Sequence, residues 1–185
     1  MSLKIYGNRT LKTLPGQLTR PTLARVRAAV FNIWQGTIPE CAWLDLCAGT
    51  GAMGAEALAR GARQVVGIER SRQACAIIQQ NWAKLATDTQ QIQILRGDIR
   101  QKLVTLAGQQ FDRIYFDPPY ASDLYDPVLL AIANGQLLAP GGELAVEHDQ
   151  TQQPKTWTAV VTEQLIECRH KRYGNTHLTF LQVPD

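Results

Sequence analysis

The chain has few of the features that mark membrane, disulfide-rich or metal-binding proteins. None of its apolar runs approaches the roughly 20 residues needed to span a bilayer, and the opening MSLKIYG lacks the long apolar segment of a signal peptide. The four cysteines form no C-x-x-C pair, and the three scattered histidines have no metal-ligand spacing. We therefore expect a cytoplasmic protein with reduced, buried thiols, structural or surface histidines, and neither a zinc site nor a disulfide framework.

Acidic residues are absent from the first 39 positions. These positions hold six basic residues, a formal charge of +6, whereas residues 40–185 hold 13 basic and 16 acidic residues, a charge of −3. This asymmetry indicates either an anionic partner near the N-terminus or a solvated basic surface.

Repeats, low-complexity tracts and obvious linkers are also absent. A chain of 185 residues with 45% hydrophobic and 19% charged residues is typical of one soluble domain with a sizeable core. We predict a single domain over residues 1–185, with a basic N-terminal arm and helix over 1–36 and an α/β core over 37–185.

The N-terminal region predicts short elements ahead of this core. Glycines and a proline in the first 19 residues indicate a small β-hairpin or an extended arm. A helix is predicted over about 23–35, capped by Thr22, because apolar residues recur there at helical spacing. The residues expected to face the core are Leu23, Val26, Val30 and Ile33, with Phe31 and Trp34 widening the stripe.

From residue 42 onward, strand and helix patterns alternate. Strands are predicted over 42–47, 65–68, 92–95, 114–116 and 142–147, and helices over 52–60, 72–85, 99–107 and 127–134. This alternation favours a mostly parallel sheet with helices on both faces. The tail predicts two long strands, over 158–168 and 177–183, joined by the turn-like KRYGN and forming an antiparallel pair at the sheet edge.

A glycine-containing turn follows the first core strand in LDLCAGTG, residues 44–51. Three successive strand ends carry an acid, namely Asp45, Glu69 and Asp98. Glu69 suits a ribose diol and Asp98 an adenine amine. Residues 49–54 also match the dinucleotide pattern G-x-G-x-x-G, but the acids suit a cationic, amino-acid-bearing cofactor better than a pyrophosphate. S-adenosylmethionine has that chemistry.

The fourth core strand ends in Asp117-Pro118-Pro119-Tyr120. Prolines commonly end strands, because they have no backbone N–H to donate a hydrogen bond to the neighbouring strand. Ligands of open α/β sheets, however, bind beyond the carboxyl ends of the strands. We therefore expect Asp117 to face the same pocket as Asp45, Glu69 and Asp98.

This tetrapeptide resembles the D/N-P-P-Y/F/W motif of methyltransferases that act on planar exocyclic amines. The resemblance implies that the Asp117 side chain and the Pro118 carbonyl accept hydrogen bonds from the amine, while Tyr120 stacks on the base. Orientation and electrostatics would then favour direct methyl transfer without a covalent intermediate. Stacking on Tyr120 would also favour a base drawn out of its helix.

Four blocks in this order resemble the RsmD family, which methylates the N2 amine of a guanine in 16S ribosomal RNA. The blocks are RPTLARVRAAVFNIW (20–34), LDLCAGTGAMGAEALARGA (44–62), DPPY (117–120) and KRYGNT (171–176). The resemblance implies a Rossmann-like class I methyltransferase fold with a seven-stranded sheet, S-adenosylmethionine as cofactor, and 16S rRNA as substrate within the small subunit or an assembly intermediate. We expect a monomer.

The resemblance also implies site residues. Those implied for the cofactor are Asp45, Cys47, Ala48, Gly49, Thr50, Gly51, Glu69, Arg70, Asp98, Ile99 and Asp117. Those implied for the RNA are Arg20, Thr22, Arg25, Pro119, Tyr120, Lys171, Arg172 and Tyr173. A phosphate-binding role fits Arg20 and Arg25, although solvated arginines would look the same. Cys47 stands where the family usually has Phe, and Leu23, Ala24 and Ala28 replace more polar residues.

Other functions remain open at this point. The same chemistry serves DNA adenine N6 and protein glutamine amides. A nucleotide-binding module or dehydrogenase would instead bind NAD and transfer no methyl group.

Overall fold

The computed structural model describes residues 2–14, 21–119, 122–152, 157 and 163–184. At the N-terminus, β1 (Ser2–Ile5) and β2 (Arg9–Lys12) pair antiparallel across a 3-10 turn at Tyr6–Asn8. The predicted hairpin is therefore confirmed.

Helix α1 (Pro21–Ile33) follows, and it begins earlier than predicted. Thr22 lies inside the first turn instead of capping the helix, because Pro21 already has the fixed φ that suits a first helical position. The predicted apolar stripe is confirmed at Val26, Val30 and Phe31, which are fully buried, while Ile33 is partly buried. The Leu23 side chain lies outside the described part of the structure.

The core is one seven-stranded sheet with the spatial order β5-β4-β3-β6-β7-β9-β8. Its strands are β3 (Ala42–Leu46), β4 (Gln64–Glu69), β5 (Gln91–Arg96), β6 (Phe111–Phe116), β7 (Leu138–His148), β8 (Ile166–Tyr173) and β9 (Thr176–Gln182). Strands β3 to β7 are parallel, and β9 pairs antiparallel with both β7 and β8. The predicted architecture is confirmed.

The remaining helices are α2 (Ala52–Ala59), α3 (Arg72–Leu85), α4 (Ile99–Val104) and α5 (Tyr125–Asn134). The sheet separates two apolar clusters, as strand alternation requires. Leu44 and Phe116 pack with α4 and α5 on one face, whereas Trp43 and Phe180 pack with α1, α2 and α3 on the other. No helix in the described ranges is long and apolar enough to cross a membrane.

The first tail strand differs from the prediction. It was expected over 158–168, but β8 spans Ile166–Tyr173, and residues 158–162 lie outside the description. Lys171, Arg172 and Tyr173, expected in a turn, form the end of this strand, and the turn itself is Gly174-Asn175. Gly174 adopts a φ of 66°, which lets the chain reverse within two residues.

Candidate functional site

A cleft of about 670 Å³ opens at the carboxyl ends of the parallel strands. It collects predicted residues from four separate parts of the sequence. The predicted residues that line it are Cys47, Glu69, Arg70, Asp98, Ile99, Asp117, Pro118 and Pro119. Tyr120 lies outside the described residues.

Glu69 is placed at the entrance of the glycine loop. Its two carboxylate oxygens accept the backbone N–H groups of Gly49, at 2.9 Å, and Ser71, at 2.7 Å. A carboxylate has about four acceptor positions, so Glu69 can hold the loop and still accept ligand hydroxyls. The neighbouring Ala48 N–H donates to the Ile68 carbonyl at 3.0 Å, which joins the loop to β4.

The glycines of the loop make room for Trp82 on α3. The Trp82 Nε1–H donates to the Gly51 carbonyl at 2.8 Å. A Cβ atom on Gly54 would lie 2.3 Å from the Trp82 ring, and one on Gly67 would lie 2.5 Å from it. The third glycine of the dinucleotide-like pattern is therefore explained by packing against an indole, without reference to a phosphate.

Asn81, which the sequence did not point to, connects the N-terminal hairpin to the glycine loop. Its amide Nδ2 donates to the Thr50 carbonyl at 3.1 Å and to the Lys12 carbonyl at 3.0 Å. Its Oδ1 accepts the Lys12 N–H at 2.9 Å. The Asn81 side chain thus links the end of β2 to the glycine loop.

Asp45 occupies a different place from the one expected. It is 2% exposed and absent from the cleft lining, and its Oδ2 accepts the Gly54 N–H at 3.0 Å. Burial raises the pKa of Asp45 to about 7, and Glu69 adds to the rise. The expectation that Asp45 faces the pocket was wrong, because its side chain turns under the loop to the start of α2.

Asp98 lies where the third parallel strand leads into α4. Its Oδ1 caps the helix by accepting the Arg100 N–H at 2.9 Å, and the Arg100 guanidinium pairs with it at 3.0 Å. This hydrogen bond and charge lower the pKa of Asp98. Both groups are exposed on the cleft rim, so the carboxylate remains accessible to a ligand.

Asp117 is surrounded by acids. Burial raises the pKa of Asp117 well above its usual value, and the charges of Glu147 and Asp45 raise it further. Glu147, which the sequence reasoning missed, is the second-last residue of β7 and lines the cleft while only 1% exposed. The signal was present, because Glu147 follows an apolar run as Asp117 does.

Cys47 lies beside these acids with a φ of 61°, an uncommon conformation for a non-glycine residue. Burial raises the pKa of the Cys47 thiol to about 12, and Asp117 is the largest charge contributing to this rise. The thiol is therefore neutral near pH 7. A neutral thiol is a poor nucleophile, so the raised pKa argues against a nucleophilic role for Cys47.

A second, shallow groove of about 470 Å³ lies between α1 and the end of β8. Arg25, Asn32 and Tyr173 line it over a floor of alanines and Ile33. Lys171 and Arg172 are exposed on the same strand. The predicted substrate residues Arg25 and Tyr173 are thus brought together, whereas Arg20 and the side chain of Thr22 lie outside the described residues.

Several basic side chains of the N-terminal region form contacts within the protein. The Arg27 guanidinium pairs with Glu56 at 2.8 Å with only 12% of its side chain exposed, and it also donates to the Lys4 carbonyl. The side chains of Arg9 and Lys12 donate to the Ala59 carbonyl and to Gln80. These contacts attach the hairpin to α2 and α3, and the charge of Arg27 is balanced by Glu56.

The histidines, expected to be scattered, form one cluster. His170 Nε2 and His177 Nδ1 are 3.0 Å apart, and His148 Nε2 lies 2.9 Å from the Thr179 hydroxyl. Burial lowers the pKa values of His148 and His177, so both favour the neutral form. In the described ranges no group of His, Cys, Asp and Glu side chains is arranged to hold a metal.

Comparison with known proteins agrees with this geometry. The family model described as Conserved hypothetical protein 95 matches residues 4–182. The Bacillus subtilis protein named "Putative rRNA methyltransferase YlbH" is 32% identical over 91% of this chain and 90% of its own length. The Haemophilus influenzae "Ribosomal RNA small subunit methyltransferase D" is 27% identical over 92% of this chain and 91% of its own length.

A solved structure gives the same result for the fold. The structure titled "Putative methyltransferase yhhF from Escherichia coli" has a TM-score of 0.83 and 27% identity, and it covers 99% of this chain and 98% of its own. The architecture is therefore the Rossmann-like class I methyltransferase fold that the motifs predicted.

Proposed function

The chain belongs to the family described as Conserved hypothetical protein 95, which is the RsmD family, and we propose that it methylates the exocyclic N2 amine of a guanine in 16S ribosomal RNA. The observation that carries this proposal is the position of Asp117-Pro118-Pro119. These residues directly follow β6 and line the same cleft as Glu69 and Asp98. The proposed amine acceptor and the proposed nucleoside-binding residues therefore line one cleft.

The pocket fits S-adenosylmethionine as the methyl donor. In this proposal Glu69 accepts ribose hydroxyls, and Asp98 with the adjoining Ile99 holds the adenine; the support is that all three residues line the cleft. Two further acids, Asp117 and Glu147, line the cleft, which suits a ligand with cationic sulfonium and amino groups. When bound, this cofactor supplies an electrophilic methyl group.

The residues of this chain would orient the amine. The Asp117 carboxylate and the Pro118 carbonyl accept its hydrogens, and Tyr120 stacks on the base. Two prolines fix the backbone on the C-terminal side of Asp117, so the acceptors are held in place before the substrate binds. The raised pKa of the Cys47 thiol supports transfer in a single displacement.

The RNA would approach across the groove beside the cleft. Arg25 supplies a guanidinium, Tyr173 a stacking surface, and Lys171 and Arg172 further positive charge. Arg20 and Thr22 belong to the same proposed surface by their place in the RPT motif. A small protein with one such surface would depend on RNA shape to select one guanine. We propose that it acts as a monomer and that its substrate is the small subunit or an assembly intermediate.

Transfer of labelled methyl from S-adenosylmethionine tests the proposal. Naked 16S rRNA, small ribosomal subunits and duplex DNA, all unmodified, are incubated in parallel and then digested to nucleosides. We expect N2-methylguanine in RNA or subunits. N6-methyladenine in DNA, or label in a protein glutamine, would overturn the substrate assignment.

A matched pair of variants assigns the chemistry to Asp117. Asp117→Ala should abolish transfer while leaving cofactor affinity largely intact. Asp88→Ala changes an exposed acid in the loop before β5 and should behave as the unmodified chain. Full activity of the Asp117 variant would remove its catalytic role.

A further inference from the structure

Glu147 is the buried acid that the proposed mechanism does not yet use. Strands β6 and β7 are parallel, and Phe116 pairs with Val146. Asp117 directly follows Phe116 at the end of β6, and Glu147 directly follows Val146 within β7, where it is still paired with Leu178 of β9. The two residues therefore occupy neighbouring positions on adjacent strands. Both also line the cleft. Two carboxyl groups from neighbouring strands therefore meet at the point where the amine is expected.

Glu147 is held firmly in this position. Its carboxylate Oε2 accepts the Tyr115 hydroxyl, and its backbone carbonyl accepts the Tyr125 hydroxyl at 3.2 Å. Tyr115 itself is 4% exposed and Glu147 1% exposed. A buried polar group is tolerated when it is hydrogen-bonded, and the Tyr115 hydroxyl fixes the position of the Glu147 carboxyl group.

The ionisable groups that act on Asp117 come from three strands. They are Glu147 from β7, Asp45 from β3 and Tyr115 from its own strand. Cys47, at the end of β3, also interacts with Asp117, and its thiol is neutral near pH 7. Among the described residues, the charged groups that raise the pKa of Asp117 are the acids Glu147 and Asp45, and they make its carboxylate a stronger proton acceptor.

We propose that Glu147, held by Tyr115, is a positioning residue that makes Asp117 the acceptor of the proton released on methyl transfer. This inference rests on the proposed function. In the step, a bond forms between the amine nitrogen and the methyl carbon, and the bond from sulfur to that carbon breaks with its electron pair left on sulfur. The nitrogen then gives one proton to the Asp117 carboxylate, from which it passes to solvent through the cleft.

The first test needs no substrate. The carboxyl carbon of Asp117 is titrated by ¹³C NMR in the unmodified chain, in Glu147→Gln and in Glu143→Gln. The Gln variant at 147 keeps an acceptor for Tyr115 but loses the charge, so the Asp117 midpoint should fall by about one pH unit or more. Glu143 lies on the same strand outside the cleft, bonded to Trp34 and Arg169, and its replacement should leave the midpoint unchanged.

The second test measures single-turnover transfer against pH. The acidic limb of the rate profile should move to lower pH in Glu147→Gln, and Tyr115→Phe should move it in the same direction as Glu147→Gln or reduce the rate. An unmoved midpoint in the NMR titration would overturn the inference. A lowered midpoint combined with an unchanged rate profile would also overturn it, because Asp117 would then not carry the proton. If the Asp117 midpoint is lowered in Glu147→Gln but the unmodified chain methylates no RNA, the proposed function is refuted. The interaction between Glu147 and Asp117 would still stand in that case.

Discussion

Replacing Asp45 by Asn tests the protonation state of the carboxyl group that is buried beneath the glycine loop. Asp45 is 2% exposed, and burial raises its pKa from 3.8 to about 7. The folded protein therefore keeps the proton until about pH 7, whereas the unfolded chain releases it near 3.8. Because the folded state binds more protons in this interval, the group's contribution to stability is full below the lower pKa and is lost as the pH rises to the upper one.

The magnitude follows from the size of the shift. Each unit is worth about 1.36 kcal/mol, so the unmodified chain should lose about 3 kcal/mol through this group between pH 5 and pH 8. Asn at this position keeps an oxygen acceptor for the Gly54 N–H but has no proton to lose. The Asn variant should therefore gain about 3 kcal/mol relative to the unmodified chain over that range.

Urea unfolding at pH 5, 6, 7 and 8 measures this difference directly. Asp88→Asn, a change in an exposed loop acid, is the control and should give a difference that is flat with pH. A flat difference for Asp45→Asn would refute the reasoning, because it would mean that the buried carboxyl ionises as in water. At pH 6 both side chains are neutral, so cofactor affinity should be retained in the variant.

Three further outcomes are expected. Gly54→Ala should destabilise the fold by about 1–3 kcal/mol in urea unfolding, because its Cβ would lie 2.3 Å from the Trp82 ring; unchanged stability would contradict the packing role of this glycine. Glu69→Ala should weaken S-adenosylmethionine binding measured by calorimetry, since it removes both the proposed ribose acceptor and the support of Gly49; an unaltered dissociation constant would remove Glu69 from the cofactor site. Arg25→Ala should weaken RNA binding and reduce the slope of the logarithm of the binding constant against the logarithm of salt concentration by about one phosphate contact. An equal slope would mean that Arg25 is a solvated surface residue that binds no phosphate.

Much of the fold could be predicted because its central strands are rich in apolar residues. Leu44, Val66 and Ile114 lie in strands that are covered on both faces, and such strands read as continuous apolar runs. Strand β8 was misplaced for the opposite reason. It lies at the sheet edge, and most of its side chains are exposed and polar, so hydrophobic alternation gives no signal there.

The candidate site was predictable where a residue belongs to a pattern. Asp117 stands out because two prolines follow it, and Glu69 because it ends a strand after a glycine turn. Asn81 has no such context, since a single buried amide on a helix follows no period and matches no motif. The clustering of the three histidines could not be predicted either, because the pairing of β7 with β9 and of β9 with β8 brings them together from distant positions.

Charge decides between the two cofactor classes that the glycine loop allowed. A pyrophosphate would bring negative charge into a cleft where Glu69, Asp117 and Glu147 already lie. The cations at the cleft, Arg70 and Arg100, are exposed, and Arg100 is paired with Asp98. A cationic sulfonium and amino group would instead be attracted to the same carboxylates. The buried acids therefore favour a methyl donor over a dinucleotide at this edge of the sheet, although the sequence G-T-G-A-M-G satisfies the dinucleotide pattern letter by letter.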